Sequence, residues 1–386
     1  MPLTQQDSAS VSQEITVHPP NRLLFGPGPT QVHPRVYRAM AQPVVGHLDP
    51  YFFEISQANQ RMLRHVFGTE NEWTFVISAT GSGGMETAVS NFVDPGMKVA
   101  VFANGFFCDR MTEMARRHGA NVVRFEKPWG GAFGDTEAAE FIHREKPKLV
   151  MYVTAETSTG VFQRGDAICQ AAHEVGALVI ADCVTSLGAM PVNVDKTGID
   201  IAYSCTQKGL SCPPGLSPIT VSPRAVEWLQ ARKSINRSWY FDIKLIGDYL
   251  FVSRRYHHTA SATLFYALHE GLSLIEEEGL ENRCNRHRQA HLEFVKGIGA
   301  MGLEMLVPAE YRIWNLNTPQ VPEGVDDAKV RASLLKEDGI EIAGGFGPLA
   351  GKVFRIGLMG PLATSEHVQD FLAKFGDALR GAGYKS

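Results

Sequence analysis

Between about residue 70 and residue 222, short apolar runs of strand-forming residues alternate with amphipathic stretches, and this alternation constrains the fold more than any other feature. Apolar strands separated by helices are typical of βαβ units whose sheet is buried on both faces. The predicted strands are residues 73–78, 98–103, 121–125, 149–153, 177–181, 199–203 and 218–221. The predicted helices between them are residues 83–92, 109–118, 136–144 and 166–175. The sequence therefore predicts an α/β fold with a mostly parallel seven-stranded sheet between helices.

The part of the chain after Pro223 has a different pattern. Two long helical patterns, 261–278 and 281–301, precede a region in which strands at 311–316 and 353–356 are mixed with helices at 327–337 and 365–379. With 386 residues the chain exceeds one ordinary hydrophobic core, so two domains are expected. We predict a loose segment at residues 1–21, a large domain at 22–260 and a smaller C-terminal α+β domain at 261–386.

Charge and composition narrow the possible classes of function. The formal net charge is −4 and the basic residues are scattered, so nothing indicates a nucleic-acid partner or a membrane surface. No apolar run reaches membrane-spanning length, and residues 1–20 lack the features of a secretory signal or a transit peptide. The six cysteines have no metal-ligand spacing, and a disulfide framework is not expected in a chain of this size. These features predict a cytoplasmic protein with free thiols and no bound metal.

A glycine-rich turn follows the first predicted strand and opens the next helix, with the sequence Thr80-Gly81-Ser82-Gly83-Gly84. Glycines permit a tight turn, and the free N–H groups at a helix N-terminus form an anion site to which two hydroxyl groups add donors. A plain glycine-rich turn is the alternative interpretation. The turn is neither a Walker A motif nor a dinucleotide-binding fingerprint, because the required Lys and third Gly are missing.

An acid and a lysine follow later strands of the predicted sheet. Asp182 ends one strand, where it either caps a turn or pairs with a protonated ring nitrogen. Lys208 follows the next strand in an apolar setting rich in Cys, Gly and Pro, which lowers the pKa of an amine and suits it to Schiff-base chemistry. Most lysines are solvated surface residues, so Lys208 alone would carry little weight. A phosphate cradle, then an Asp, then a Lys is the order that a pyridoxal-phosphate site requires.

From about Asn21 to its C-terminus the sequence resembles the class V aminotransferases of fold type I, and within them the alanine–glyoxylate and serine–pyruvate aminotransferases. The segments that carry the resemblance are LFGPGP at 24–29, ANG at 103–105, ETSTG at 156–160, ADCVTSLG at 181–188, SCTQK at 204–208, YHHT at 256–259 and VFRIGLMG at 353–360. The resemblance implies a pyridoxal 5'-phosphate enzyme, a homodimer with shared active sites and an N-terminal extension that contacts the partner subunit.

The resemblance also implies roles for individual residues. Lys208 would carry the cofactor and transfer the substrate proton, and Asp182 would pair with the pyridine nitrogen. The other implied cofactor contacts are Thr80, Gly81, Ser82, Phe107, Thr157, Val184 and Gln207, together with Tyr256 and Thr259 supplied to the neighbouring subunit's phosphate. Phe107 corresponds to the aromatic residue that stacks on the cofactor ring, and Thr157 stands where relatives have a serine.

The substrate contacts that the resemblance implies are Arg355, Gly26 and Thr157. Arg355 lies in the β-rich run KVFRIGLMG, so partial burial is expected, and a buried guanidinium needs an anion. The planar fork of an arginine matches a substrate carboxylate. An arginine that only covers the protein surface is the alternative.

These observations predict a transaminase that uses alanine or serine as donor and glyoxylate or pyruvate as acceptor. Serine–glyoxylate, ureidoglycine–glyoxylate and 2-aminoethylphosphonate–pyruvate exchange stay open, because one sequence does not resolve the pocket contacts that distinguish them. A lyase such as a cysteine desulfurase is disfavoured, since Gln207 precedes the lysine, Phe107 is at the stacking position and residues 318–352 contain no Cys. A non-catalytic protein that binds pyridoxal phosphate is disfavoured because it would not need Arg355.

Overall fold

The computed structural model describes residues 17–385, so residues 1–16 of the predicted loose segment lie outside the described residues. The strands are β1 (Leu23–Leu24), β2 (Trp73–Ile77), β3 (Lys98–Ala103), β4 (Asn121–Glu126), β5 (Leu149–Val153), β6 (Ala155–Glu156), β7 (Val161–Phe162), β8 (Leu178–Asp182), β9 (Ile201–Tyr203), β10 (Ser217–Val221), β11 (Leu316–Asn317), β12 (Ile340–Glu341), β13 (Ala343–Gly344) and β14 (Phe354–Gly357).

The helices alternate with the strands through the first half of the chain and dominate the second half. They are α1 (Pro34–Met40), α2 (Pro50–Phe67), α3 (Gly81–Phe92), α4 (Phe106–Arg117), α5 (Asp135–Glu145), α6 (Asp166–Glu174), α7 (Val194–Thr197), α8 (Pro223–Ala231), α9 (Ile243–Gly247), α10 (Ala262–Glu278), α11 (Leu280–Ala300), α12 (Asp327–Ser333) and α13 (Ser365–Gly381). No helix within residues 17–385 combines the length and the apolar character that crossing a membrane requires.

The predicted seven-stranded sheet is confirmed, with the strand order β2-β10-β9-β8-β5-β3-β4. Strand β10 is antiparallel to both of its neighbours, and all other neighbouring pairs are parallel. Every residue of β5, β8 and β10 is buried, which explains why these strands consist of apolar runs without alternation. The carboxyl ends of β2, β8 and β9 lie at the same edge of the sheet, where open α/β sheets bind ligands.

A second hydrophobic core is formed by α11, α12, α13 and the short C-terminal strands. Strand β14 is the middle strand of a three-stranded antiparallel sheet with β11 and β13. Strand β1 pairs in parallel with β12, so residues near the N-terminus join this second core. Helix α10 packs on the larger core, which favours a domain boundary near Gly279. The division into residues 22–260 and 261–386 stays a prediction.

The predicted strand at residues 311–316 is wrong for most of its length. Residues 309–311 form a helical turn in which the N–H of Tyr311 donates to the carbonyl of Pro308. Pairing with β14 begins only at Leu316, opposite Gly357. The apolar pattern of this segment reflects Ile313 and its neighbours filling a small core near Met359, and not a strand.

Candidate active site

A cavity of about 270 Å³ opens at the carboxyl edge of the seven-stranded sheet. The loops after β2, β5, β8 and β9 form its walls, and strand β14 closes it from the side of the second core. Ten of the residues predicted from the sequence line this cavity: Thr80, Gly81, Ser82, Phe107, Thr157, Asp182, Val184, Gln207, Lys208 and Arg355. The topology therefore brings together groups that are up to 275 residues apart in the chain, from Thr80 to Arg355 (355 − 80).

The predicted phosphate cradle, residues 80–84, is the N-terminus of α3. Thr80 is the N-cap, but its side chain makes no capping hydrogen bond, so its hydroxyl is free to bind a ligand. A Cβ on Gly81 would lie 3.0 Å from a methyl group of Val184 and 3.2 Å from Cβ of Cys205. Glycine thus lets the backbone pass close to the loop after β8. The first N–H groups of the helix point out of its end as anion donors.

Asp182 lies at the end of β8 with both carboxylate oxygens occupied. One oxygen accepts the N–H of Val184 at 2.8 Å, and the other accepts the hydroxyl of Tyr203 at 2.8 Å. Burial raises the pKa of Asp182 to about 6, and the two hydrogen bonds and the charge of Lys208 offset only part of the lost solvation. Within residues 17–385 no cation is hydrogen-bonded to this carboxylate. A positively charged ring nitrogen in the cavity would supply that cation and would hold the carboxylate in its ionised form.

Lys208 follows β9, and its side chain is only 8% exposed. Its Nζ lies 3.3 Å from the hydroxyl of Thr157, 3.5 Å from that of Thr185 and 5.7 Å from the ring centre of Phe107. Burial lowers the pKa of Lys208 below its usual value, which increases the fraction of nucleophilic amine. A Cβ on Gly28 would lie 3.3 Å from Cε of Lys208, so the loop before α1 also confines this side chain.

Arg355 projects from β14 into the cavity and is 9% exposed. Its Nε donates to the carbonyl of Gly344 at 2.8 Å, and Cζ lies 4.2 Å from the ring centre of Phe346. No carboxylate within residues 17–385 forms an ion pair with it, and burial lowers its pKa to about 10. A buried arginine fixed at Nε, and with no ion-pair partner among these residues, is ready to bind the carboxylate of a small ligand.

Three predicted site residues do not line the cavity of this chain. Gly26 does not line the cavity, whereas the three residues that follow it in the chain, Pro27, Gly28 and Pro29, do. Tyr256 is 56% exposed, and its hydroxyl lies 3.5 Å from that of Thr259 on the protein surface. A surface position is what a contribution to another subunit requires, and the roles predicted for these residues stay predictions.

The structure adds residues that the sequence reasoning missed. Arg110 lines the cavity and donates to the hydroxyl of Ser82 at 2.8 Å, while its guanidinium covers the ring of Phe107. Glu156 is fully buried behind Phe107, and Tyr203 bonds Asp182. A glutamate inside the otherwise uncharged run VTAETSTG is the signal that could have identified Glu156.

The cavity fits pyridoxal phosphate on structural grounds. The helix N-terminus at Gly81 offers donors to a phosphate, and Gln207, whose buried side-chain oxygen has no hydrogen-bond partner within residues 17–385, brings an amide NH2 donor to the same cavity. The buried acid Asp182 and the buried amine Lys208 line the same space, and the part of the chain that the structure describes places no cation in hydrogen-bonding contact with Asp182. Among the described residues no group of three or more His, Cys, Asp and Glu side chains could hold a metal ion.

Comparison with known proteins agrees with this geometry. The family model described as aminotransferase class-V matches residues 22–371. The chain is 40% identical over 372 residues to an (S)-ureidoglycine–glyoxylate transaminase of Bacillus subtilis, covering 92% of this chain and 89% of that protein. It is 36% identical over 368 residues to an alanine–glyoxylate aminotransferase of Drosophila melanogaster, covering 94% and 93%. The crystal structure of an alanine–glyoxylate aminotransferase from Nostoc sp. superposes with a TM-score of 0.93 at 42% identity, covering 97% and 100%.

Proposed function

The chain belongs to the class V aminotransferases, which are pyridoxal-phosphate enzymes of fold type I, and we propose that it transfers the amino group of alanine or serine to glyoxylate or pyruvate. With alanine and glyoxylate the products are pyruvate and glycine, and serine as donor gives hydroxypyruvate. Relatives named for glyoxylate as acceptor, each matched over more than nine-tenths of this chain, support this choice.

In this proposal different residues around the cavity bind different parts of the cofactor. Thr80, Gly81, Ser82 and Gln207 hold the phosphate, Asp182 pairs with the pyridine nitrogen, and Phe107 covers one face of the ring. Val184 packs beside Gly81, where its methyl group lies 3.0 Å from the position of a Cβ. Thr157 holds the Nζ of Lys208 at 3.3 Å and is placed to contact both cofactor and substrate.

The bound cofactor supplies an electron-withdrawing ring that delocalises the electron pair left when the substrate Cα loses its proton. Lys208 would carry the cofactor and, once its amine is free, would act as the base that takes the proton from the substrate Cα. Asp182, in its ionised form, keeps the ring nitrogen protonated. The buried position of both groups excludes water, which strengthens their electrostatic effect on the reacting atoms.

The observation that carries the proposal is the buried guanidinium of Arg355, which forms no ion pair within residues 17–385 and lies in the same cavity as Lys208. Every donor and acceptor in the proposed reaction has a carboxylate next to the reacting carbon. The Arg355 fork binds that carboxylate and so presents the Cα–H bond to Lys208. The cavity of about 270 Å³ must also contain the cofactor, so the space left for a substrate side chain is small.

The proposal includes a homodimer in which Tyr256 and Thr259 of each chain reach the phosphate of the partner. Their exposed hydroxyls, absent from the cavity of their own chain, support this part. Gly26 is proposed to contact the substrate through the loop at residues 27–29, and the N-terminal extension is proposed to contact the partner subunit. A cytoplasmic location belongs to the proposal as well.

A second candidate is the exchange between (S)-ureidoglycine and glyoxylate. The relative from Bacillus subtilis with this name shares 40% of its residues with the chain, slightly more than the alanine–glyoxylate aminotransferase from Drosophila melanogaster. A carbamoylated amine at Cα needs polar partners in the pocket, and the hydroxyls of Thr157 and Thr185, 3.3 and 3.5 Å from Nζ of Lys208, are two of the polar groups that line it. The two candidates differ in the donor, and glyoxylate is an acceptor in both.

A half-reaction screen tests the proposal. Purified protein loaded with pyridoxal phosphate is mixed with one amino acid at a time, and the cofactor absorbance is followed. Alanine or serine is expected to convert the cofactor to its amino form, and glyoxylate is expected to reverse the change. Conversion only by freshly prepared ureidoglycine would establish the second candidate. A spectrum that no amino acid changes would establish a non-catalytic binding protein and overturn both.

A further inference from the structure

The first turn of α4, which carries Phe107, is capped from outside the helix. The N-cap residue Gly105 has no side chain, so it satisfies none of the free N–H groups. Instead, the hydroxyl of Ser158 accepts the N–H of Phe106 at 3.0 Å. One carboxylate oxygen of Glu156 accepts the N–H of Phe107 at 3.0 Å and that of Cys108 at 3.4 Å. A segment about 50 residues away in the sequence thus replaces the local cap.

Glu156 is held in one orientation by its second oxygen, which accepts both the N–H and the hydroxyl of Ser158 at 3.0 and 2.6 Å. All polar partners of this carboxylate are donors, so its geometry fits the ionised, acceptor-only form. Burial raises the pKa of Glu156, while the hydrogen bonds from Ser158, Phe107 and Cys108 oppose that shift. A Cβ on Gly105 would lie 2.3 Å from Cγ of Glu156, so only glycine fits there.

The capping segment also contacts the reactive groups of the cavity. Thr157, between the two capping residues, holds Nζ of Lys208 at 3.3 Å through its hydroxyl. Its carbonyl lies 3.5 Å from a terminal nitrogen of Arg355. The position of Phe107 relative to Lys208 and Arg355 is therefore set through one short segment, residues 156–158.

We propose that Glu156 is a positioning residue whose carboxylate fixes the first turn of α4 and thereby holds the ring of Phe107 against the cofactor. The inference rests on the proposed function, because it requires pyridoxal phosphate in the cavity. Phe107 is the second residue of α4, so loss of the cap tilts the backbone that aims its ring. Loss of stacking weakens cofactor binding without removing any group that touches the cofactor directly.

The substitution Glu156→Gln tests this role, because the amide matches the shape of the carboxylate but carries two N–H donors on one side. Those donors would face either the N–H of Phe107 or the donors of Ser158. Titration of cofactor-free protein with pyridoxal phosphate is expected to show an affinity about three- to tenfold lower, because misplacing the ring cannot cost more than losing its stacking altogether. The visible circular dichroism of bound cofactor is expected to change as the ring shifts.

A double-mutant cycle with Phe107→Leu separates positioning from general destabilisation. If Glu156 acts through the ring, Glu156→Gln is expected to change the affinity less than about threefold in the Phe107→Leu background. An equal loss in both backgrounds, or no loss in either, would overturn the proposal. Should Glu156→Gln fail to fold, Ser158→Ala takes its place in the same cycle with a smaller expected loss, and the same outcomes decide.

Asp200 provides the matched control. Its buried carboxylate also accepts a backbone N–H, from Val179 at 2.9 Å, but it lies at the amino ends of the strands, away from the cavity. Asp200→Asn is expected to lower the melting temperature of cofactor-free protein while leaving the affinity for pyridoxal phosphate unchanged. An equal loss of affinity in Asp200→Asn would reduce Glu156 to a structural role. Wild-type protein that binds no pyridoxal phosphate would instead refute the proposed function itself.

Discussion

Replacement of Arg355 is expected to damage recognition of every substrate while leaving the cofactor site intact. In the structure Nε is occupied by the carbonyl of Gly344 at 2.8 Å. Among residues 17–385 the terminal nitrogens make one long hydrogen bond, 3.5 Å to the carbonyl of Thr157. Two terminal nitrogens are thus available to a substrate carboxylate. Arg355→Ala removes both, and Arg355→Lys replaces them by a single ammonium group.

The magnitude follows from the burial of this side chain. Removing one partner of a buried, hydrogen-bonded charge pair costs about 2–5 kcal/mol. At about 1.4 kcal/mol for each factor of ten, Arg355→Ala is expected to weaken substrate binding by roughly 30-fold to several thousandfold. Arg355→Lys keeps the charge but not the two parallel bonds, so a loss of roughly tenfold is expected. Since burial lowers the pKa of Arg355 to about 10, wild-type affinity is expected to fall above that pH.

The assay measures both half-reactions of each variant, with alanine as donor and with glyoxylate as acceptor. Both apparent affinities are expected to fall together, because the same guanidinium binds the carboxylate in both directions. The cofactor spectrum is expected to stay unchanged. Arg232→Lys is the control, since Arg232 is also buried but pairs with Asp94 far from the cavity. Unchanged affinities in Arg355→Ala would remove this residue from the substrate site.

Three further predictions address the acid, the aromatic ring and the assembly. The pKa of Asp182 is 3.8 in the unfolded chain and about 6 in the folded protein, so ionisation of this buried acid lowers the stability by about 3 kcal/mol in total as the pH rises through this range. Asp182→Asn is therefore expected to raise the melting temperature of cofactor-free protein at pH 8 but not at pH 3.5. The same substitution is expected to lower the rate of amino transfer at least roughly 100-fold. Phe107→Trp is expected to retain cofactor affinity and Phe107→Leu to weaken it by roughly two- to tenfold, measured by cofactor titration. Light scattering is expected to show a dimer, whose total interface we expect to exceed roughly 2,000 Å². Thr259→Val is expected to weaken cofactor binding without dissociating the dimer. A monomer that binds the cofactor tightly would contradict the shared site.

The sheet could be predicted from the sequence because its central strands are continuous apolar runs with polar residues at their ends. The runs ALVIA and LVMYV are buried on both faces, so their apolar character is continuous and their ends are marked by polar residues. The antiparallel direction of β10 could not be predicted from its residues, because a buried strand has the same composition in either direction. The prediction of a strand at residues 311–316 is wrong because apolar residues shortly after Pro308 can fill a core without pairing as a strand.

The residues that line the cavity could be predicted where a chemical group follows a strand or opens a helix, as Asp182, Lys208 and Gly81 do. The roles of Glu156 and Arg110 depend on contacts between distant segments. Glu156 bonds N–H groups 48 and 49 residues earlier in the chain, and no local pattern encodes this pairing. The contribution proposed for Tyr256 and Thr259 involves a second subunit, so the geometry of a single chain does not test it.

The central claim is that Lys208 carries pyridoxal phosphate in an aminotransferase site. Borohydride reduction of the loaded protein, followed by proteolysis and mass mapping of the labelled peptide, tests it most directly. The label is expected on Lys208, the lysine that lines the cavity with Asp182 and Arg355. Prior incubation with alanine is expected to prevent labelling, because the donor releases the lysine. A label on another lysine, or labelling that no amino acid prevents, would contradict the account.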